Sequence, residues 1–122
     1  MKRGTFRDLN IWKKGLELII KVRAVSRLFP KYEKFGLTDQ IDRSSNSIIA
    51  LIAEAHGRYH FADKCRVLYQ ARGECEETQS HMSVAHALGY IDKITFKTLD
   101  KEYEGLGIGI NSYILGMKRN KN

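Results

Sequence analysis

Three serines set close together, Ser44, Ser45 and Ser47, are the first residues that could do chemistry in this chain. A serine nucleophile needs a neighbouring base, and the local patterns that supply one are absent: there is no Gly-x-Ser-x-Gly elbow and no Ser-x-x-Lys pair. His56 and His60 stand four apart, a spacing that on one helix lets two imidazoles share a metal, with Glu54 and Asp63 nearby. Gly57 lies between them, where a helix is expected to end, and the spacing then loses its meaning. His81 and His86, five apart, point to different faces of a helix. Arg72 and His81 are too far apart for the Arg and His pair, four to six residues apart, that some helical-bundle RNases carry on one helix. Gly105-Leu106-Gly107-Ile108-Gly109 lacks both the preceding strand and the later glycine of a nucleotide-binding loop. Cys65 and Cys75, on one continuous helix, would lie about 15 Å apart, beyond the roughly 7 Å a disulfide spans, and read as small apolar fillers. No catalytic residue, metal site or cofactor is expected.

The charge is more informative. Lys and Arg outnumber Asp and Glu by 21 to 14, a net charge of +7 that attracts polyanions. Arg43, Arg58, Lys64, Arg66 and Arg72 concentrate in the middle third of the chain and are the candidates for phosphate contact. Glu74, Glu76 and Glu77 follow within a turn or two of Arg72, so part of this set also reads as ordinary intrahelical pairing on a solvated face.

Helices must position these residues, because the apolar spacing is helical almost throughout and the chain has one proline, Pro30. A first helix is expected over 5–29, ended by Phe29-Pro30. It carries two apolar stripes: Leu9, Trp12, Leu16, Ile19 and Ile20 on one side, Ile11, Leu18, Val22, Val25 and Phe29 on the other. One stripe suffices to pack a helix onto its own core, so the second asks for a neighbour. Ile11, Leu18, Val22 and Val25 are expected at an interface between copies of the chain. After a loop over 31–36, Thr38 is the expected N-cap of a second helix over 38–56, in which Ser44, Ser45, Ser47, Ala50 and Ala53 are sites of close helix approach. The third helix, over 61–88, follows the stripe Leu68, Ala71, Cys75, Thr78, Met82 and Ala85. A fourth, capped by Asp92, follows Leu99, Tyr103, Leu106, Ile110, Tyr113 and Met117, with Gly105, Gly107 and Gly109 marking a close contact or a break. Alternating steps of three and four are the seam of a left-handed bundle. The expectation is an all-α, antiparallel up-down four-helix bundle, one domain over 1–122 with short basic termini at 1–4 and 118–122. No segment is apolar enough to span a membrane and the N-terminus lacks a signal-peptide pattern, so a cytoplasmic location is expected.

Several local patterns occur in an order that resembles a known family. These are Phe6-x-Asp8-Leu9-x-x-Trp12; Phe29-Pro30; Phe35-Gly36-Leu37-Thr38-x-Gln40-Ile41-x-Arg43; Ser47-Ile48, Ile52-Ala53-Glu54 and Gly57-Arg58; and Ala71-Arg72-Gly73 with Glu77. Together they resemble the bacterial four-helix-bundle family of 23S rRNA intervening-sequence proteins, over Phe6 to about Tyr90. Where that family usually reads Ser-Ile-Pro-x-Asn-Ile-Ala-Glu-Gly, this chain has Ile49, Leu51 and Ala55 in place of the proline, asparagine and glycine. No binding role of the asparagine carries over to Leu51. The resemblance implies a ring of subunits, a pentamer, with RNA or DNA as the partner and no catalytic activity. The expected function is therefore a non-enzymatic, ring-forming basic bundle that binds nucleic acid, structured RNA above all. The alternative is an adaptor that docks a nucleic-acid enzyme such as a reverse transcriptase.

Overall fold

Breaks in the helical pattern divide the chain into four long helices, α1 (Asn10–Ser26), α2 (Leu37–Gly57), α3 (Phe61–Ala87) and α4 (Lys93–Asn120). The computed structural model describes residues 4–120; residues 1–3 and 121–122, the outermost parts of the basic termini, lie outside the described residues. The chain begins with a separate 3₁₀ turn, Phe6–Asp8, rather than one helix from residue 5. Thr5 and Asp8 close a reciprocal capping box on that turn, and Leu9, in extended conformation, interrupts it before α1 starts.

The other boundaries follow from local chemistry. The expected loop over 31–36 holds a short 3₁₀ turn, Lys31–Glu33. Gly36, not Thr38, occupies the N-cap of α2, and the job of the missing cap side chain is done by Glu33, whose Oε1 accepts from Leu37 N–H at 3.1 Å. At the other end, Lys64 Nζ donates to the carbonyls of Ala55 (3.2 Å) and His56 (2.9 Å), satisfying the open C-terminus of α2. Gly89 takes a positive φ of 80° and turns the chain out of α3, with Tyr90 N–H reaching back to Ala85 O at 2.8 Å. Asp92 Oδ1 accepts from Thr95 N–H at 2.7 Å and starts α4, which runs unbroken through its glycines.

Cross-helix pairs fix the topology. Gln79 bonds Asp100, Arg72 bonds Asn111 and Lys118 bonds Tyr69, so climbing α3 descends α4. Ser44 with Thr78 and Ala55 with Lys64 show the same opposition between α2 and α3, and Ser26 with Asp42 begins it between α1 and α2. The molecule is an antiparallel up-down four-helix bundle. Its core is one cluster, with Leu18, Ile41, Ile48, Ile52, Leu68, Tyr103 and Ile110 among its most enclosed side chains.

The two stripes of α1 have exchanged the roles expected of them. Ile11, Leu18 and Val22 are buried within the subunit and Val25 packs against the same core, so they form no intersubunit surface. Gly15 lies in this inward seam, and there Ile49 of α2 fills the space a side chain would take: a Cβ on Gly15 would overlap the Ile49 Cγ2 methyl. The outward stripe is the other one, with Leu16 39% and Ile20 65% exposed. On α2, Ser44 and Ser45 are buried as expected of close-approach sites, but Ala50 faces solvent. On α4 only Gly109 lies close to a neighbour, Ile11; Gly105 and Gly107 have open space around them.

Gly15→Ala should destabilise by about 1–3 kcal/mol, because β-branched Ile49 is stiff at χ1 and cannot swing away. Pairing it with Ile49→Ala should cost less than the two single changes summed, whereas Gly105→Ala, in open space, should stabilise by roughly 0.5–1 kcal/mol. Lys64→Met should cost about 1.5–3 kcal/mol through the uncapped α2 carbonyls. Urea titrations with unchanged m-values check all of these; an additive Gly15/Ile49 pair would show that the two side chains do not compete for one space.

Candidate nucleic-acid interface

The antiparallel register collects most of the basic candidates at one pole of the bundle, where α2 ends, α3 begins and α4 ends. Arg58 follows the last turn of α2, Lys64 and Arg66 lie in the first turns of α3, and Arg72 lies farther along it. Lys118 and Arg119, in the last turn of α4, come to the same pole because α4 runs back along α3. Arg43 does not join them. It sits in the first half of α2, in a polar groove with Gln40, Ser44, Ser47, Glu74 and Glu77. Burial, then a hydrogen bond with Glu77, pushes the Glu74 carboxyl above its ordinary range, while the Arg43 charge pulls it back. Arg43 therefore stands apart from the other basic candidates, in a groove it shares with two acidic side chains.

The cations at the pole differ in how far they are already engaged. Arg58 Nη2 lies 2.6 Å from Glu54 Oε2, and Arg66 lies 3.8 Å from Asp63. Lys64 is half-buried and holds the α2 carbonyls. Arg72 donates to Asn111 Oδ1 at 2.9 Å, its guanidinium 5.2 Å from the centre of the Tyr69 ring. Lys118 Nζ donates to Tyr69 Oη at 3.2 Å and lies 5.8 Å from the same ring. Among the described residues, no carboxylate lies within ion-pair distance of Arg72 or Lys118. The tyrosine itself is 40% exposed. At the α2–α3 corner, exposed Tyr59 meets His60 edge-on, ring centres 5.1 Å apart.

Sequence reading reached Arg72 and the charge of the C-terminal run but missed Tyr69 and Asn111. Tyr69 and Arg72 are one turn apart on α3, while Asn111 and Lys118 are two turns apart on α4. Only the register between those helices joins the pairs, and spacing along the chain carries no signal of it.

The remaining chemistry-bearing residues are absorbed by structure. Ser44 Oγ and Thr78 Oγ1 share a hydrogen bond of 2.8 Å inside the α2–α3 seam, and Ser45 donates to Asp42 O at 3.1 Å. His56 lies in the last turn of α2 and His60 is the N-cap of α3, so no helix carries both. His86 stacks on Phe96 with ring centres 4.7 Å apart, and His81 lies 3.5 Å from Glu77. Both cysteines are buried and unpaired, and burial pushes the Cys75 thiol up to about 12, far from a reactive thiolate at neutral pH. A small cleft of about 150 Å³ between α3 and α4 opens over Gly107 beside Arg72, lined also by Glu76, Gln79 and Glu104. Among the described residues, no three His, Cys, Asp or Glu side chains gather as a metal site, and no helix is long and apolar enough to cross a membrane.

Comparison with known proteins places this geometry in context. No curated protein matches the chain. A crystal structure from Bacteroides thetaiotaomicron, described as a protein of unknown function from the S23 ribosomal protein family, is similar over 85% of this chain and 97% of its own, with a TM-score of 0.77 and 26% identity. The family model for the 23S rRNA-intervening sequence protein matches residues 7–112, which takes in all of α1, α2 and α3 and most of α4. The chain belongs to the family of 23S rRNA intervening-sequence proteins.

Proposed function

We propose that this protein is a non-enzymatic, basic helical bundle that assembles with copies of itself into a ring and binds nucleic acid, structured RNA above all. The observation that carries the binding half is the pole itself. Arg58, Lys64, Arg66, Lys118 and Arg119 gather there, with Arg72 farther along α3; Glu54 and Asp63 stand beside the cations at the pole, and Glu76 and Glu104 beside Arg72. A concentrated positive field recruits polyanions and makes binding steeply salt-dependent.

The assembly half rests on the outward face of α1. Leu16 and Ile20 are exposed and Trp12 and Ile19 half-buried. Beside them on α2, the face that meets α1 through Asp42 and Ile49 continues into Asn46, Ala50 and Ala53. The result is an uncharged strip along the bundle, bounded by the Arg23–Asp42 ion pair at 3.4 Å. The strip fits a second copy, and the family resemblance implies five.

A second reading, the adaptor that docks a nucleic-acid enzyme such as a reverse transcriptase, is favoured by a different surface. Leu28, Tyr32, Phe35, Leu88 and Ile94 are all exposed at the opposite pole, where the Tyr32 and Tyr90 hydroxyls, 2.9 Å apart, tie the α1–α2 connection to the α3–α4 turn.

Light scattering should show a particle several times 14.0 kDa, and Leu16→Asp with Ile20→Asp should reduce it to the subunit mass with helical circular dichroism retained. An unchanged mass in that variant would remove the strip from the assembly. In anisotropy titrations with duplex and hairpin RNA, association at about 50 mM salt should weaken by tenfold or more at 200 mM. No association at the lower salt would defeat the nucleic-acid reading and leave the adaptor.

A further inference from the structure

We propose that Arg72 and Lys118, held on one tyrosine ring, form a two-point clamp for the phosphodiester backbone of the bound strand, with Tyr69 as the positioning residue for both. The proposal rests on the nucleic-acid reading above and assigns the contact that reading leaves open.

Three features single these cations out from the rest of the pole. They are uncommitted to carboxylates among the described residues, whereas Arg58 and Arg66 are each beside one and Lys64 is occupied by two carbonyls. They are also held in place. Arg72 uses Nη1 on Asn111 Oδ1 and rests by the Tyr69 ring, which leaves its other N–H donors to form the forked pair that fits two phosphate oxygens. Lys118 is tethered through Tyr69 Oη and the same ring. A long side chain already ordered gives up less rotamer freedom when a phosphate arrives, so these two bind at lower entropic cost than free surface lysines. Finally, one ring sets the distance between them, which makes the pair a spaced site rather than diffuse charge.

The geometry also gives the clamp a direction. Glu76 and Glu104 line the cleft just beyond Arg72 toward the middle of the bundle. Two carboxylates there repel a phosphate track, so the strand runs from the clamp toward Arg58 and Arg66 and not along the α3–α4 groove.

The test is a salt titration of binding with single-stranded and duplex RNA of equal length, for wild type, Arg72→Ala, Lys118→Ala, Tyr69→Leu, Tyr69→Phe and Lys97→Ala. Lys97 is an exposed cation near the start of α4, at the far pole, and controls for the loss of one charge. Arg72→Ala and Lys118→Ala should each lower the slope of log affinity against log salt by about 0.7 on single strands or 0.9 on duplex for each subunit engaged. Tyr69→Leu keeps both cations and should keep the slope, yet weaken binding about tenfold at fixed salt because both lose their support. Tyr69→Phe retains the ring but not the hydroxyl and should lose less. Slopes for Arg72→Ala and Lys118→Ala equal to that of Lys97→Ala, in a protein that still binds RNA, would overturn the clamp and leave the reading standing. Absence of wild-type binding to either RNA at low salt would overturn both.

Discussion

A short hydroxyl relay sets the register on which the rest of this bundle depends. Thr78 donates to Glu74 O at 2.9 Å, and Ser44 meets Thr78 Oγ1 at 2.8 Å, both side chains fully enclosed between α2 and α3. Each hydroxyl also has an acceptor in its own helix, Glu74 O for Thr78 and Ile41 O for Ser44, so sliding α2 along α3 by a turn would lose the bond between the two helices. The small serines also let the two helices approach. With that register fixed, Lys64 falls beneath the end of α2, Arg43 falls opposite Glu74 and Glu77, and Arg58 is delivered to the pole. The question posed by a serine-rich run in the middle of a helix thus has a packing answer, with no nucleophile required.

The fold was legible because two of the four helices carry an unambiguous seam. Along α3 the sequence of Leu68, Ala71, Cys75, Thr78 and Met82, and along α4 that of Leu99, Tyr103, Leu106 and Ile110, matches the buried positions. On α1 the same reasoning found both stripes and assigned them the wrong way round. Periodicity shows that a face is apolar but not which face turns inward when two compete. The signal that separates them is the small residue: Gly15 lies in the stripe of Ile11, Leu18 and Val22, and a glycine inside an apolar seam marks a point where a neighbour comes close. The basic site was less legible still, because it is a product of register. Tyr69 and Lys118 are 49 positions apart in the chain, and only an antiparallel α4 lays one on the other.

The departures from the usual family pattern on α2 acquire a physical meaning in the same frame. Ile49, where a proline is usual, fills the notch left by Gly15 and locks α2 onto α1. Ala55, where a glycine is usual, is buried, and Leu51, in place of the asparagine, packs against the core. All three replacements favour a regular, well-packed helix over polar or flexible backbone. This segment of α2 is committed to packing.

The direction in which the apolar strip runs has a consequence for any ring. The uncharged strip on α1 and α2 runs parallel to the axis, so copies joined through it with cyclic symmetry stand side by side in the same orientation. Like pole then lies beside like pole. In such a ring the poles carrying Arg58, Arg66 and Lys118 would form one rim, and Leu28, Tyr32, Phe35, Leu88 and Ile94 would face the other beside Arg27, Lys31, Lys34, Lys93 and Lys97. Bringing several basic poles together costs Coulomb energy that grows as salt falls, and a polyanion laid across the rim removes it. By linkage, a ligand that favours the assembled state must itself be bound more tightly by the assembly than by the subunit. In a ring of this kind, assembly and nucleic-acid binding reinforce each other through electrostatics alone, without a change in the fold of any subunit.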